Sequence, residues 1–258
     1  MTGGHGRPLD GRTAIVTGAG QGVGRGIALA LARAGANVVV AARRTETGEP
    51  VAREIVDRGD VAVCIRTDVT VRDDVAACIR ATVERFGGLD VMVHNAYSPT
   101  GPHLVADAGD DHWNPNSRTA VWGSFHCAQL AYTHLRRSGR GRLVLLSSPA
   151  GVEGSGGLPF YSAAKAAQRG LAKALAREWG PDGITVNCIG PVAESPALAG
   201  AFAANPELKA RIEARTPLGR IGDAERDIGG VAVFLASDAG GYVTGQTIVC
   251  DGGSFTGL

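Results

Sequence analysis

A tyrosine and a lysine four positions apart, Tyr161 and Lys165, lie in an Ala-rich stretch of helical character. This spacing places a phenol and an ammonium on one helix face, about one turn apart. The ammonium favours phenolate and so lowers the pKa of the phenol, which can then exchange a proton with a carbonyl or hydroxyl oxygen. Ser148 closes the preceding predicted strand and offers a hydroxyl to the same oxygen. In isolation such a pair is typical of a helix surface, so the interpretation depends on the elements around it.

A glycine-rich turn near the amino terminus is a second candidate site. Gly18, Gln21, Gly22, Val23 and Gly24 follow an apolar strand and open an apolar helix. Glycines permit a tight turn and let backbone N–H groups approach a pyrophosphate, and the helix N-terminus adds partial positive charge. The pattern predicts dinucleotide binding; the alternative is a tight connection without a ligand.

The residues after the second and third predicted strands indicate which dinucleotide is bound. NAD sites usually place an acidic residue after the second strand, whereas this chain has Arg43 and Arg44. Because a guanidinium can form paired hydrogen bonds with a phosphate, the two arginines favour NADP(H). NAD(H) is the alternative cofactor. The other interpretation is that both arginines are ordinary solvated charges at the end of a strand. Asp68 and Val69 follow the third strand; Asp68 is a candidate partner for the adenine or a helix cap.

Short β-branched runs alternate with Ala-rich stretches of helical spacing, a pattern typical of a parallel sheet with crossover helices. The predicted strands are 12–17, 37–42, 61–66, 89–94, 142–147, 184–189 and 247–250. The predicted helices are 22–34, 46–58, 71–86, 111–137, 160–179 and 224–236. Because most strands are continuous apolar runs, both sheet faces should be covered. The sequence therefore predicts one α/β domain over 1–258, a doubly wound (Rossmann) parallel sheet of about seven strands with helices on both faces.

One region departs from this alternation. Residues 190–223 contain four prolines and short amphipathic pieces between a strand and the last helix. Long excursions of this kind often form lids or binding loops, so we predict a lid here; a mobile surface loop is the alternative.

Composition excludes several classes of function. The 258 residues carry a net charge of +1 with scattered basic residues, which argues against nucleic acid as a partner. No apolar run is long enough to span a bilayer and no signal-peptide pattern is present, so we expect a cytoplasmic protein without membrane partners. The cysteines and histidines lack metal-ligand spacing, so no metal site is predicted.

Taken together, the motifs resemble the short-chain dehydrogenases/reductases from about residue 9 onward. They are Thr17-Gly18-x-x-x-Gly22-x-Gly24, Asn95-Ala96, Ser148, Tyr161-x-x-x-Lys165, Val186-Asn187 with Pro191, and Thr244-Gly245-Gln246 leading to Asp251-Gly252-Gly253. The branch it resembles holds 3-oxoacyl-carrier-protein reductases and many bacterial alcohol dehydrogenases. The resemblance implies Tyr161 as general acid/base, Lys165 on the nicotinamide ribose and Ser148 on the substrate carbonyl.

The resemblance also implies roles around these residues. Asn95, Ala96, Pro191 and Val192 would contact the cofactor. The motif positions of Tyr97, Pro149, Glu153, Phe160 and Glu194 predict substrate-pocket lining, although glutamates such as these two are more often solvated charges at the rim. A homo-oligomer, dimer or tetramer, is implied, with the fourth and fifth long helices pairing and residues 255–258 joining a second interface.

The chain departs from the family pattern at several positions. Counting from Trp113, the usual relay asparagine is replaced by Ala120, which has neither donor nor acceptor. Asn116 is a weaker candidate substitute. Tyr97 and Val192 stand where relatives have glycine. Ser195 is a candidate replacement for the threonine that contacts the carboxamide.

The sequence thus predicts an NADP(H)-dependent enzyme that interconverts a ketone or aldehyde and an alcohol by hydride transfer, with Tyr161 as acid/base. Ala120 and Tyr97 motivate one alternative, a catalytically weak cofactor-binding protein. An NAD-dependent alcohol dehydrogenase is the other.

Overall fold

The computed structural model describes residues 6–98 and 100–255. Within them, one parallel sheet has the strand order β3-β2-β1-β4-β5-β6-β7. The strands are β1 (Thr13–Thr17), β2 (Asn37–Ala42), β3 (Ala62–Arg66), β4 (Val91–His94), β5 (Arg142–Leu146), β6 (Thr185–Pro191) and β7 (Thr247–Cys250). The predicted doubly wound sheet of seven strands is confirmed.

The helices connect these strands. They are α1 (Gly22–Arg33), α2 (Thr45–Asp57), α3 (Arg72–Phe86), α4 (Asp110–Asn116), α5 (Gly123–Ser138), α6 (Ala150–Glu153), α7 (Pro159–Trp179), α8 (Pro196–Ala204), α9 (Glu207–Arg215) and α10 (Gly229–Ala236). Short 3₁₀ turns occupy Val105–Asp107 and Gly180–Asp182. None of the helices in the described ranges combines the length and hydropathy needed to cross a membrane.

The predicted helix over 111–137 is interrupted. A π-helical segment at Ser117–Trp122 separates α4 from α5, and α4 contains Pro115. Proline has no N–H for an intrahelical bond, and π segments often occur at functional sites. The predicted 224–236 helix likewise begins with a π segment, Ala224–Ile228.

Two apolar layers cover the sheet, as the continuous apolar strands predict. Successive residues of β2 point to opposite faces, so Val38 and Val40 pack on one side and Val39 and Ala41 on the other. The first layer contains α1, α2 and α10. The second contains α3, α5 and α7. Because α7 packs on this sheet, its amino-terminal turn has a fixed position beside β5 and β6.

The strand order reverses between β1 and β4, whose carboxyl ends lie side by side, with Thr17 paired to His94. Ligands of doubly wound proteins bind at this switch point. The 190–223 excursion forms α8 and α9, and Ala193 makes an isolated bridge with Gly222. Although β6 is two strands away from β4, the excursion reaches the switch point, because a Cβ on Gly22 would meet Ser195 and Pro196 at 3.3 Å. The predicted second-interface segment reaches beyond residue 255, outside the described residues.

Candidate active site

The glycine-rich turn is held against the end of β4. Gly18 has a φ of +64°, and a Cβ there would lie 2.7 Å from the Cα of Ala96. The Asn95 amide donates to the carbonyls of Thr17 (3.0 Å) and Gly18 (3.2 Å). A Cβ on Gly24 would meet the Asn95 amide nitrogen at 2.4 Å. Asn95, predicted to bind cofactor, therefore also positions the turn.

A buried histidine supports the same junction. The Thr17 hydroxyl accepts from the backbone N–H groups of Asn95 (3.0 Å) and Ala96 (3.2 Å) and donates to Nδ1 of His94 (3.1 Å). Nε2 of His94 lies 3.1 Å from the carbonyl of Thr119, which can only accept. Burial lowers the pKa of His94 to about 3. The imidazole is therefore neutral at working pH and acts as structural support.

A cavity of about 520 Å³ opens at the switch point and joins the turn to the predicted catalytic helix. Of the predicted site residues, it is lined by Gly18, Gln21, Gly22, Val23, Gly24, Arg43, Arg44, Asp68, Val69, Asn95, Ala96, Tyr97, Tyr161, Lys165 and Pro191. Residues distant in sequence thus face one space. Val192 is not among the lining residues; its N–H donates to the Cys250 carbonyl at 2.9 Å.

The far end of the cavity carries two exposed guanidiniums. Arg43 and Arg44 follow β2 directly and line the cavity. Asp68 lines it as well, and its Oδ1 accepts from the N–H (2.9 Å) and hydroxyl (2.7 Å) of Thr70. The N-cap of α3 is Val71, so Asp68 shapes the turn before the helix and does not cap it.

Two of the three catalytic candidates, Tyr161 and Lys165, lie at the near end; the third, Ser148, is buried and does not line the cavity, and its hydroxyl accepts from the Ala150 N–H at 3.2 Å. Tyr161 and Lys165 lie on the first turns of α7 and line the cavity. Burial raises the pKa of Tyr161, and the neighbouring Ser148 hydroxyl opposes the rise. The Tyr161/Lys165 spacing predicts a lowered pKa for the phenol, but burial dominates and the net direction is upward. The phenol is therefore protonated at neutral pH.

Tyr97 forms an aromatic wall over this end. Its ring centroid lies 5.1 Å from that of Tyr161 and 5.2 Å from Nζ of Lys165. Its hydroxyl donates to Oδ1 of Asn116, whose amide donates to the Thr100 hydroxyl at 2.9 Å. Asn116 therefore fixes Tyr97, and its hydrogen bonds do not include Lys165.

Comparison with known proteins extends the resemblance over nearly the whole chain. The model of the family described as enoyl-(acyl carrier protein) reductase matches residues 18–254. The 3-oxoacyl-[acyl-carrier-protein] reductase FabG of Staphylococcus aureus is 39% identical over 245 residues, which cover 95% of this chain and 98% of that protein. The chain belongs to the short-chain dehydrogenase/reductase family. Within this family of oxidoreductases it is similar to the FabG-like branch.

Other members of the family differ in substrate. The 12α-hydroxysteroid dehydrogenase of a Clostridium species is 33% identical over 253 residues, covering 95% of this chain and 97% of that protein. The crystal structure of a 7α-hydroxysteroid dehydrogenase, complexed with NADH and 7-oxo glycochenodeoxycholic acid, superposes with a TM-score of 0.92 at 31% identity and full coverage of both chains. Cofactor preference and substrate therefore do not follow from membership of the short-chain dehydrogenase/reductase family.

The other predicted pocket residues do not line the cavity in this member of the family. Pro149 is buried, whereas Glu153 and Glu194 are exposed. Phe160 packs edge-to-face against Trp113 with centroids 5.6 Å apart. The two carboxylates thus have the solvated positions that the alternative interpretation described.

Two kinds of functional residue are not apparent from the sequence. One kind lines the cavity: Gly20, Ala42, Thr47, Thr67, Thr70, Ser98, Gly101, Thr119, Leu146, Ser147, Leu158, Ala193 and Pro196. Ser195, the candidate carboxamide contact, lines the cavity as well. The other kind is polar and buried. Gln168, one turn after Lys165, accepts from the Lys165 ammonium at 3.0 Å and donates to the Ser124 hydroxyl at 2.9 Å. A glutamine on the apolar face of a helix was the available signal.

Burial of Lys165 should be measurable as a pH-dependent stability. Burial lowers its pKa from 10.5 to about 8, so the unfolded chain binds more protons between these pH values. The free energy of unfolding of the wild type, relative to Lys165→Met, should therefore rise by about 3 kcal/mol as pH increases through this window. Urea unfolding at several pH values measures the difference.

An exposed lysine on the same helix gives the control. Lys173→Met should show a nearly constant difference from wild type over this range, because Lys173 is exposed. A flat difference for Lys165→Met as well would contradict the burial of a charged amine at this site.

Proposed function

We propose that this chain is an NADP(H)-dependent oxidoreductase that interconverts a ketone or aldehyde and the corresponding alcohol by hydride transfer. One observation carries the proposal. Tyr161 and Lys165 line the same cavity as the glycine-rich turn, so the proton-transfer group and the dinucleotide cradle face one space.

The residues of the cavity fit a phosphorylated dinucleotide. The turn at Gly18 and Gly24 leaves no room for side chains, and its backbone N–H groups open the N-terminus of α1. Arg43 and Arg44 lie exposed at the rim with their guanidiniums available to a 2′-phosphate. When bound, the nicotinamide supplies or accepts the hydride.

The chain's own residues then handle the proton and the substrate oxygen. Tyr161, protonated at neutral pH, donates its phenolic proton to the carbonyl oxygen during reduction and takes it back during oxidation. The Ser148 hydroxyl orients that oxygen. Lys165 holds positive charge beside the phenol, with Nζ 5.8 Å from the Tyr161 ring centroid, and offers a donor to the ribose. A protonated phenol favours catalysis in the direction of carbonyl reduction.

The walls of the cavity favour an apolar substituent on the substrate. Tyr97 and Leu158 line it close to Tyr161, while Glu153 and Glu194 are exposed. The segment at 190–223 would act as the lid, because Ser195 and Pro196 line the cavity and Pro196 would lie 3.3 Å from a Cβ on Gly22.

We also propose that the chain assembles as a homo-oligomer through α5 and the end of the π segment that precedes it. Trp122 is 56% exposed and Phe125 39% exposed, and their rings pack edge-to-face at 5.9 Å. Large exposed aromatic residues in one cluster are typical of protein–protein contacts.

A panel of ketones and aldehydes with apolar substituents tests the proposed function. The wild-type protein should oxidise NADPH with at least one of them, and NADH should serve less well. Tight NADPH binding without turnover across the panel would instead favour a cofactor-binding protein. Preference for NADH with an alcohol panel would favour an NAD-dependent alcohol dehydrogenase.

A further inference from the structure

We infer that Gln168, supported by Ser124, is a positioning residue that holds the Lys165 ammonium in a chain whose relay-asparagine slot is occupied by Ala120. This inference concerns the site of the proposed function, but it rests on contacts that exist without a substrate. Gln168 and Ser124 are 1% and 0% exposed. Buried polar side chains at such positions are costly unless they are hydrogen-bonded, and Oε1 and Nε2 of Gln168 and the Ser124 hydroxyl each have a partner.

The first contact is to the amine itself. Lys165 is 4% exposed, and Nζ donates to the backbone carbonyl of Leu146 at 2.5 Å and to Oε1 of Gln168 at 3.0 Å. An ammonium has three N–H donors, so two are used inside the protein and one is left for the cavity that Lys165 lines. The arrangement fixes the direction of the remaining donor.

Ser124 and the Ala120 carbonyl fix the orientation of the glutamine amide. Nε2 of Gln168 donates to the Ser124 hydroxyl at 2.9 Å, and that hydroxyl donates to the Ala120 carbonyl at 2.5 Å. If the amide were reversed, its NH₂ group would face the Lys165 ammonium, and two donors would oppose each other. The three hydrogen bonds therefore form a series with one consistent direction of donation, from the Lys165 ammonium through Gln168 and Ser124 to the backbone carbonyl of Ala120.

The series ends at the position where the side-chain amide is missing. Ala120 lies in the π segment Ser117–Trp122, is fully buried, and contributes only its backbone carbonyl. Amide and backbone carbonyl groups do not readily pass a proton in their usual forms. The series therefore holds the ammonium in place and does not conduct protons to solvent.

The other titratable groups around Lys165 do not substitute for Gln168. Tyr161 and Tyr97 present their rings, with centroids 5.8 and 5.2 Å from Nζ. His94 is neutral, and burial raises the pKa of the Cys188 thiol to about 12. None of the ion pairs within the described ranges includes Lys165, so Gln168 is the side-chain acceptor that favours its charged form.

Direct titration of the lysines tests the inference without any assay. The chain has three lysines, Lys165, Lys173 and Lys209, so ¹³C-labelled lysine gives three resolvable side-chain signals in NMR, assigned with Lys165→Met. In Gln168→Met the side-chain volume is similar, but the amide oxygen that accepts from Lys165 is lost. The pKa of Lys165 should therefore fall by about one unit. In Gln168→Glu a carboxylate faces the amine, and the pKa should rise.

Opposite shifts of the Lys165 pKa in the two Gln168 variants distinguish a positioning role from a packing defect. A packing defect would shift this pKa in the same direction in both variants. Ser124→Ala should lower the pKa by less than Gln168→Met does, and it serves as the milder variant if Gln168→Met does not fold. Gln129→Met and Gln129→Glu on the exposed face of α5 are the matched controls and should leave the pKa unchanged.

An unchanged Lys165 pKa in both folded Gln168 variants, or in Ser124→Ala if neither folds, would overturn the inference. Once turnover is established, the alkaline limb of the kcat profile should move down in pH for Gln168→Met and up for Gln168→Glu. A protein that shows the NMR shifts but reduces no carbonyl would contradict the proposed function and leave the inference standing.

Discussion

Tyr161→Phe is expected to lower kcat by about 10³-fold and to leave NADPH affinity within about twofold of wild type. The substitution removes only the phenolic oxygen, which carries the transferred proton, and retains the ring that packs against Tyr97 at 5.1 Å between centroids. Single-turnover measurements with saturating NADPH separate the loss of chemistry from slow product release. Fluorescence titration measures the affinity.

The control for this experiment is a tyrosine outside the site. Tyr242 is fully exposed, and Tyr242→Phe should retain the wild-type kcat. If Tyr161→Phe kept more than about a tenth of the activity, another group would supply the proton. Loss of NADPH affinity without loss of kcat would instead assign Tyr161 to binding alone.

Replacement of both Arg43 and Arg44 by alanine is expected to weaken NADPH binding by about 100-fold and to change NADH binding by less than about threefold. Each guanidinium lies exposed at the rim of the cavity and would lose charge-assisted hydrogen bonds to the 2′-phosphate, which NADH lacks. Calorimetric titration with both cofactors measures the two affinities. The ratio between them is the relevant quantity, because damage to the fold would weaken both equally.

Arg53→Ala supplies the matched control. Arg53 is an exposed arginine on α2 that does not line the cavity, so its removal lowers the net charge without touching the proposed phosphate site. Equal losses of affinity for NADPH and NADH in the double variant would contradict the assignment of Arg43 and Arg44 to the 2′-phosphate. A similar loss in Arg53→Ala would show that overall charge, not local contact, attracts the cofactor.

The sheet and the glycine-rich turn could be predicted from sequence because their signals are local. The predicted strand at 37–42, apolar from Val38 onward, matches β2, and the helix predicted from Gly22 begins at that residue. Spacing likewise places Tyr161 and Lys165 on one face of α7. The interruption of the 111–137 helix was not predicted, since a π segment leaves the apolar pattern almost unchanged.

The details of the site depend on contacts between distant segments. Asn116 was considered a substitute for the missing relay residue, but its amide binds Tyr97 and Thr100, which only the folded chain brings near it. The direction of the Tyr161 pKa shift could not be predicted from the sequence either. The neighbouring lysine predicts a lowered pKa, whereas the depth of burial, a property of the whole fold, raises it. Glu153 and Glu194 are exposed for the same reason: their surroundings are set by tertiary packing.

The most direct test of the central claim is isotope transfer from NADPH deuterated at the nicotinamide C4. Wild-type protein incubated with a reactive ketone should yield alcohol with deuterium on the carbinol carbon, detected by mass spectrometry, and Tyr161→Phe should yield about 10³-fold less in the same time. Alcohol without deuterium on that carbon from either C4 isotopomer, or equal labelled product from both proteins, would contradict hydride transfer with Tyr161 as the proton donor.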